Sequence, residues 1–337
     1  MNYHYLRPLL FQLSPETAHD WTLTTLNVLH KLRLQPKVSL SAPCKILGLN
    51  FPNPVGLAAG LDKNGEYIDS LAALGFGFIE IGTVTPRPQP GNPKPRMFRI
   101  PKANAIINRL GFNNRGVDYL IEQVKRANYS GILGINIGKN ATTSLAKAHE
   151  DYVHCFNKVY PYASYVTVNI SSPNTPELRQ LQSTDYLTKL LTVLKREQQI
   201  LATKTQRHVP LLVKIAPDLT DNELSSIAQH LLTYEIEGII ATNTTIDHGV
   251  IEGLPHANET GGLSGKPLFN KATDILTKLA PLLANKIPII AVGGIMTGND
   301  ALQKFHHGAS LVQIYTGLIY QGPKLIRDIV TQYTTNK

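Results

Sequence analysis

Eight short apolar runs recur along the chain, and most of them lack the polar alternation of a half-exposed strand. Continuous apolar runs of this length are typical of parallel strands buried on both faces. The runs are Pro54–Ala59, Phe76–Val84, Gly134–Ile137, Tyr165–Ile170, Leu211–Ile215, Gly238–Thr242, Ile287–Val292 and Ala309–Tyr315. They predict eight strands of one parallel sheet.

Helical apolar spacing separates most of these runs. The predicted helices are Tyr67–Leu74, Val117–Ala127, Thr184–Thr203, Glu223–Tyr234, Lys271–Leu283 and Asp300–His307. The number of strands and their alternation with helices predict an α/β protein with a (β/α)8 TIM barrel. A doubly wound sheet is the alternative fold, but the chain has neither a Gly-X-Gly-X-X-Gly turn opening a helix nor a Walker loop.

Two helical pieces are predicted before the first strand. Residues 3–11 form a short apolar segment that we expect to be broken at Pro8. Ser14-Pro15-Glu16 is a helix start, and an amphipathic pattern follows it to about Arg33. Neither piece reaches the roughly 20 apolar residues that cross a bilayer. The pair is either a lid packed on the barrel or an amphipathic unit in a membrane interface, with Lys31 and Arg33 near the headgroups.

Composition narrows the class of protein. In 337 residues, 42% are hydrophobic and 17% charged, as in an ordinary folded domain, and the two cysteines, Cys44 and Cys155, indicate a reducing compartment without a disulfide framework. The net charge is +9, and residues 81–117 carry basic side chains without an Asp or Glu. Such a field favours an anionic ligand or surface. No nucleic-acid motif accompanies it, so we expect no nucleic-acid partner.

Amides and lysines stand where the predicted strands end. Small polar residues from Asn169 to Thr175 mark the end of the fourth strand, and Pro173 and Pro176 cannot donate to a ladder there. A capped turn would use the same residue types. The exits together offer four amides and two lysines: Asn136, Asn169, Asn174, Asn243, Lys63 and Lys214. Amides match the edges of a cyclic amide, and the lysines suit a carboxylate or the charge on a reduced cofactor ring. Metal hydrolysis and two-carboxylate glycoside chemistry lack obvious residues.

Glycines follow the last two strands, at the positions where barrels bind phosphate. These are Gly293-Gly294 and Thr316-Gly317, and Gly261–Gly265 adds another loop of close approach. Backbone N–H groups exposed by such turns bind anions. The sequence therefore predicts a cofactor or substrate that carries a phosphate.

Eight ordered motifs resemble a known family over essentially the whole chain. They are GLAAGLDKNGE (Gly56–Glu66), EIGTVTPRPQPGNPKPR (Glu80–Arg96), INRLGFNN (Ile107–Asn114), NISSPNTP (Asn169–Pro176), VKIAPDL (Val213–Leu219), ATNTT (Ala241–Thr245), GGLSGKPL (Gly261–Leu268) and VQIYTGL (Val312–Leu318). The family is dihydroorotate dehydrogenase, and the likeness is to its membrane-associated, quinone-linked class 2.

The resemblance implies an FMN enzyme that oxidises (S)-dihydroorotate to orotate in pyrimidine biosynthesis. The implied FMN contacts are Ala59, Gly60, Leu61, Asp62, Lys63, Thr83, Asn136, Asn169, Lys214, Thr242, Gly265, Gly294, Tyr315 and Thr316. The implied substrate contacts are Lys63, Asn108, Arg109, Leu110, Gly111, Phe112, Asn169, Asn174, Asn243 and Thr244. The implied base is Ser172, which needs help from a neighbouring Thr, a water or Lys63, because an unassisted hydroxyl is a poor base. No metal is implied.

The resemblance also gives the N-terminal pair a role. Residues 1–40 would form a helical segment that binds the membrane surface and admits quinone, with His19 and Arg99 near the quinone head, and residues 41–337 would form the FMN-binding barrel. The soluble classes carry Cys at the position of Ser172, so serine agrees with quinone as acceptor. A monomer on the cytoplasmic side of the cell membrane, bound peripherally, is expected.

Three other functions stay open from the residues. A soluble flavin dehydrogenase would use another acceptor, and a phosphate-binding barrel lyase would use Lys214 as a Schiff-base amine. A catalytically silent flavin-binding or membrane-surface module is the third. A flavoprotein should purify yellow, which separates the dehydrogenase from the lyase. Reduction of bound FMN by dihydroorotate separates the dehydrogenase from the silent module.

Overall fold

Eight parallel strands close into a barrel in the computed structural model, which describes residues 3–284 and 286–336. The strands are β1 (Cys44–Ile46), β2 (Leu49–Phe51), β3 (Val55–Leu57), β4 (Phe78–Val84), β5 (Met97–Ile100), β6 (Ala105–Asn108), β7 (Ile132–Ile137), β8 (Tyr165–Asn169), β9 (Leu211–Ile215), β10 (Gly238–Ala241), β11 (Gly262–Gly265), β12 (Ile289–Val292) and β13 (Leu311–Ile314). The barrel order is β3-β4-β7-β8-β9-β10-β12-β13, and β13 pairs with β3 to close it.

Each apolar run predicted from the sequence contains or overlaps one barrel strand, so the predicted (β/α)8 fold is confirmed. The strands are buried along their whole length, as continuous apolar runs require. β1 and β2 form a small antiparallel hairpin that precedes the barrel. No apolar run in the sequence predicts this hairpin, because its two strands are short and half exposed.

Helices cover the outside of the barrel. They are α1 (Tyr3–Leu10), α2 (Pro15–Lys31), α3 (Ile68–Ala72), α4 (Val117–Arg126), α5 (Ala148–Val159), α6 (Thr184–Thr205), α7 (Asp221–Thr233), α8 (Phe269–Leu283), α9 (Gly298–His306), α10 (Thr316–Gln321) and α11 (Lys324–Thr335). The six predicted barrel helices are present, whereas α5, α10 and α11 were not predicted. α7 begins at Asp221, before the predicted Glu223, because Thr220 caps the helix and forms a capping box with Glu223 in the first turn.

The N-terminal prediction was wrong at one residue. Pro8 lies inside α1 and does not break it. Proline costs a helix one N–H hydrogen bond, and an eight-residue helix has few such bonds to lose. Ser14 caps α2 as predicted, because its hydroxyl accepts a hydrogen bond from the Thr17 amide at 3.3 Å. Within the described residues, no helix is long and apolar enough to cross a membrane. The predicted segment limits at residues 1 and 337 fall outside the described chain.

Both long connections contribute to one antiparallel sheet above the barrel. β5 and β6 lie in the connection after β4, and β11 lies in the connection after β10. β6 is the central strand, with Asn108 opposite both Met97 and Gly262. Two loops that are far apart in sequence thus form a wall on the carboxyl side of the barrel strands.

α1 and α2 are fastened to this wall and to α10. The Tyr3 hydroxyl donates to the Ile319 carbonyl at 2.6 Å, and Arg7 donates to the Tyr320 carbonyl at 2.8 Å. Arg96, on the β4–β5 connection, pairs with Glu16 of α2 at 3.0 Å. The N-terminal helices therefore have a fixed position against the barrel.

Lys304 is a buried charge between two of the outer helices. It lies on α9 and is fully buried against α8, where its ammonium donates to Thr273 Oγ1 at 2.6 Å and to the Phe269 carbonyl at 3.2 Å. Burial lowers the pKa of Lys304 to about 7, while Asp300 weakly opposes this shift. The native state therefore resists protonation of this amine near neutral pH.

Replacing Lys304 by Met is expected to raise the free energy of unfolding at pH 7 by about 1–3 kcal/mol, because no buried charge then needs accommodation. The folded pKa lies below the unfolded one, so the native protein loses stability from this group as pH falls from about 10 to about 7. Thermal unfolding of both proteins between pH 6 and 10 checks this. The gap should narrow at high pH, and the exposed Lys45→Met should show no such pH dependence.

Candidate active site

A cavity opens at the carboxyl end of the barrel strands, where most of the predicted site residues meet. Its lining includes these predicted residues: Ala59, Gly60, Lys63, Thr83, Asn108, Leu110, Gly111, Phe112, Asn169, Ser172, Asn174, Lys214, Thr242, Asn243, Thr244, Gly265, Gly294, Tyr315 and Thr316. The strand exits therefore bring the amides, the hydroxyl and both lysines to one place, although they lie as far apart in the chain as Lys63 and Asn243.

Four of the residues predicted to contact FMN or substrate do not line this cavity. The Asn136 side chain is buried beneath it, between Thr83 Oγ1 at 2.6 Å and Glu80 Oε1 at 2.8 Å. The Asp62 carboxylate accepts the amides of Glu66 and Tyr67 and so shapes the loop after β3. Burial raises the pKa of Asp62 to about 6 despite these bonds.

The other two lie to the sides. The Arg109 guanidinium turns outward, pairs with Glu259 at 2.7 Å and stacks on the Phe98 ring. Leu61 lines a neighbouring apolar cavity.

The cavity floor rests on a buried polar network inside the barrel. Glu80 accepts hydrogen bonds from Asn136, from the Tyr165 hydroxyl at 2.9 Å and from Gln313 Nε2 at 2.8 Å. Gln313 Oε1 is buried and has no hydrogen-bond partner within the described residues. A buried orphan acceptor beside a cavity suits a ligand that brings a donor.

Lys214 and Lys63 provide the positive charge of the cavity. Neither ammonium makes a hydrogen bond to the described part of the chain. Burial lowers the pKa of Lys214, with Glu80 opposing. Burial and the nearby Arg96 lower the pKa of Lys63 to about 8, with carboxylates of α2 and the β3 loop opposing. Both lysines are thus desolvated cations without a bonded partner, which favours an anionic ligand between them.

The cavity amides are held by each other and by hydroxyls. Asn169 donates to Thr83 Oγ1 at 3.0 Å and accepts from Ser171 Oγ at 2.9 Å. Asn243 donates to Ser171 Oγ at 2.9 Å, and Asn174 donates to the Asn108 carbonyl at 3.0 Å. Fixed amides present donors and acceptors in a defined pattern, so they can recognise the edge of a planar polar ring.

Ser172 is buried at the cavity wall, and its oxygen accepts the Asn174 amide at 3.2 Å. No carboxylate or histidine bonds to this hydroxyl in the described chain. Three residues later on the same loop, the buried Thr175 Oγ1 has no hydrogen-bond partner among the described residues. Ser172 can thus face a ligand, and Thr175 provides a second hydroxyl on this loop that is available for a hydrogen bond within the described residues.

The glycine turn after β12 lies at the cavity rim, and its backbone closely approaches the start of α8. Gly293 and Gly294 have φ of 120° and 78°, and a Cβ on Gly294 would stand 2.3 Å from the Phe269 Cα. Only glycine allows α8 to approach this turn so closely. Ser264 Oγ and Thr316 Oγ1 lie 2.8 Å apart beside it and offer further polar atoms. The rim suits a phosphate, as the sequence predicted.

A second cavity, with a volume of about 400 Å³, lies under α1 and α2. Its lining is almost wholly apolar and comes from both helices, α3 and α10. It shares Met97, Ile106 and Tyr315 with the polar cavity, so these three side chains separate the two spaces.

His19 and Arg99, predicted to contact quinone, are polar side chains in this apolar lining. Burial, helped by Lys63, lowers the pKa of His19 to about 3, so the ring is neutral at pH 7. Arg99 donates to the Leu10 carbonyl at 3.2 Å and to that of Leu13, and it stacks on the Phe11 ring at 4.5 Å.

The outer faces of the N-terminal helices carry exposed apolar side chains. Tyr5, Leu9 and Trp21 have exposed fractions of 77%, 62% and 65%. Large apolar groups gathered in this way are typical of surfaces that contact a partner or a membrane.

Sequence reasoning missed several residues that shape the site. Glu80, Gln313 and Tyr165 stand within predicted strands, and Ser264 stands in a glycine loop. A charged residue in the middle of a buried strand was the available signal, because such a residue needs buried partners.

The fold and cavities define the class: a (β/α)8 barrel with a polar cavity at its strand exits and an apolar cavity beside it. Comparison with known proteins identifies the family: the dihydroorotate dehydrogenase family model matches residues 41–335, and the chain belongs to this family.

Full-length relatives support the same membership. The chain is 58% identical over 334 residues to dihydroorotate dehydrogenase (quinone) of Acinetobacter baylyi, covering 99% of this chain and 100% of the relative. It is 57% identical over 344 residues to the protein of the same name from Coxiella burnetii, covering 100% and 98%. The ligand-free DHODH of Eimeria tenella superposes with a TM-score of 0.87 at 40% identity, covering 95% of this chain and 94% of that one.

Proposed function

We propose that this enzyme oxidises dihydroorotate to orotate in pyrimidine biosynthesis, with FMN as cofactor and a quinone as final electron acceptor. Two relatives similar over their full length carry the name dihydroorotate dehydrogenase (quinone). The observation that carries the proposal is the pair of adjoining cavities, one polar and one apolar, which share Met97, Ile106 and Tyr315 in their linings. Such a pair suits one polar and one lipophilic reactant that exchange electrons through a shared cofactor.

The residues of the polar cavity fit FMN. The glycine turn at Gly293-Gly294 and the hydroxyls of Ser264 and Thr316 offer a place for the phosphate. Among the described residues, neither Gln313 Oε1 nor the Lys214 ammonium has a hydrogen-bond partner. A ring N–H of the flavin would donate to Gln313, and an anionic ring would accept from Lys214. FMN, when bound, supplies the acceptor for hydride and passes electrons on to quinone.

The amides of Asn108, Asn169, Asn174 and Asn243 would hold the pyrimidine edges of the substrate. Ser172 would take the proton beside the substrate carbonyl while hydride leaves the neighbouring carbon, so that a ring double bond forms. Lys63 would face the substrate carboxylate, which also lowers the cost of keeping this cation desolvated. Thr175 is the hydroxyl on the same loop that could pass the proton onward from Ser172.

The N-terminal segment, residues 1–40, would admit quinone from the membrane. Its exposed Tyr5, Leu9 and Trp21 would enter the lipid interface, so the enzyme would bind the membrane peripherally. A monomer on the cytoplasmic side of the cell membrane is part of the same proposal. His19 and Arg99 would lie near the quinone head, since they are polar groups in the apolar cavity. Neutral His19 can offer a hydrogen bond without a charge there.

The test is the visible spectrum of the purified protein. We expect a yellow protein with one FMN per chain, bleached by dihydroorotate without oxygen and restored by a short-chain ubiquinone analogue. A colourless protein that takes up no added flavin would contradict the cofactor, and a yellow protein that dihydroorotate leaves oxidised would contradict the substrate. Covalent trapping of Lys214 by borohydride with a carbonyl substrate would instead favour the lyase.

A further inference from the structure

One guanidinium joins three loops at the mouth of the barrel. Arg179, on the loop after β8, donates from Nε to the Ser171 carbonyl at 3.1 Å. Its Nη1 donates to Asp218 after β9 at 2.9 Å, and its Nη2 donates to the Thr244 carbonyl after β10 at 2.9 Å. A planar fork that fills three acceptors fixes their relative positions more closely than a single bond does.

Both carbonyls belong to residues next to the proposed base or to a substrate-facing amide. Ser171 directly precedes Ser172, and Thr244 directly follows Asn243. The Ser171 hydroxyl makes a second link between the loops, because it accepts from Asn243 at 2.9 Å and donates to Asn169 at 2.9 Å. Arg179 thereby closes a ring of hydrogen bonds that runs from the Ser172 loop to the substrate-facing amides.

Asp218 holds the guanidinium from its far side. It also accepts from Thr245 Oγ1, from the Ile246 amide at 3.1 Å and from Lys271 at 3.2 Å. Burial alone would raise the pKa of Asp218, but hydrogen bonds from Thr245, Ile246 and Arg179 leave it below its usual value. The carboxylate therefore stays charged at neutral pH, and the ion pair is retained.

We propose that Arg179 is a positioning residue for the oxidation of dihydroorotate. By fixing the Ser171 and Thr244 carbonyls, it sets the distance between the Ser172 hydroxyl and the amides that hold the substrate ring. This rests on the proposed function, since Arg179 acts through Ser172. Leu178 and Leu181 are buried on the same loop, so the segment stays docked when the guanidinium is removed.

The first variant is Arg179→Lys, which keeps the charge opposite Asp218 but cannot fill three acceptors in one plane. In a single anaerobic turnover, reduction of bound FMN by dihydroorotate should slow roughly 10- to 100-fold, because misplacement by about 1 Å has an effect of this size. FMN content should match the parent protein, and orotate affinity, measured by its effect on the flavin spectrum, should change by less than about threefold, as expected for a loss confined to the transition state.

Arg207→Lys is the matched control. Arg207 donates to the carbonyls of Tyr160, Pro161 and Ala163 and so joins the loops before β8 and β9, at the opposite end of the barrel. We expect both variants to lower the unfolding temperature, but only Arg179→Lys to slow flavin reduction. A normal rate in Arg179→Lys, or an equal loss in Arg207→Lys, would overturn the positioning role.

The double variant Ser172→Ala/Arg179→Lys tests whether the effect passes through Ser172. If it does, the double variant should reduce flavin within about twofold of Ser172→Ala, because the two changes remove one shared function. Losses that multiply would refute the proposal. If dihydroorotate does not reduce the parent protein, the proposed function fails. If it reduces the parent protein and Arg179→Lys at equal rates, only the positioning role fails.

Discussion

Ser172→Ala is expected to slow the reduction of bound FMN by dihydroorotate by roughly 10²–10⁴-fold, the usual contribution of a positioned base. The Ser172 side chain is buried at the cavity wall, and the Asn174 amide is its hydrogen-bond partner in the described part of the chain. Alanine at this position therefore removes the proposed base without a bonded substitute among the described residues. Anaerobic stopped-flow absorbance at the flavin band measures the rate. The FMN content should not change, because the phosphate rim is on the other side of the cavity from this loop.

The control for this substitution is Ser225→Ala, which removes an exposed hydroxyl on α7 far from the cavity lining. It should leave the reduction rate and the flavin content as they are. An unchanged rate in Ser172→Ala would remove Ser172 from the role of base. A loss of flavin in the same variant would mean that the hydroxyl supports the cofactor cavity rather than the proton transfer.

Most of the barrel could be predicted because its strands are apolar on both faces. Short length and β-branched residues favour a strand for a run such as Gly238–Thr242, and the structure has a strand at Gly238–Ala241. α5 was missed because His149, Glu150 and Asp151 open it and hide its apolar spacing. The antiparallel sheet of β5, β6 and β11 joins two distant connections, and no local pattern indicates which loops will pair.

The cavity lining was predictable to the extent that it follows the strand exits. Residues at those exits meet by the topology of a barrel, so Lys63, Asn169 and Lys214 could be grouped without coordinates. The residues that hold these side chains in place from below or from behind the cavity wall could not be grouped in this way. Glu80 and Arg179 act through partners on other strands and loops, and their contacts depend on side-chain directions that only the folded chain defines.

Deleting residues 1–33 is expected to impair reoxidation of FMN by a lipophilic quinone while dihydroorotate still reduces it. α1 and α2 supply one wall of the apolar cavity, whereas the polar cavity is lined from the barrel and its loops. Each 100 Å² of apolar contact with quinone that the deletion removes would weaken quinone binding by about 2.5 kcal/mol, or roughly 70-fold. Separate measurement of the two half-reactions checks this, and normal quinone turnover in the truncated protein would contradict the entrance role.

A point variant separates the cavity from the membrane surface, since deletion removes both. Ala18→Phe would fill the apolar cavity from α2, where Ala18 is 8% exposed, and Val28→Phe enlarges a side chain on the same helix that is 48% exposed and outside the lining. If quinone enters through the cavity, Ala18→Phe should slow reoxidation by a soluble short-chain quinone and Val28→Phe should not. Equal rates in both variants would mean that quinone reaches FMN by another path, even if the helices bind lipid.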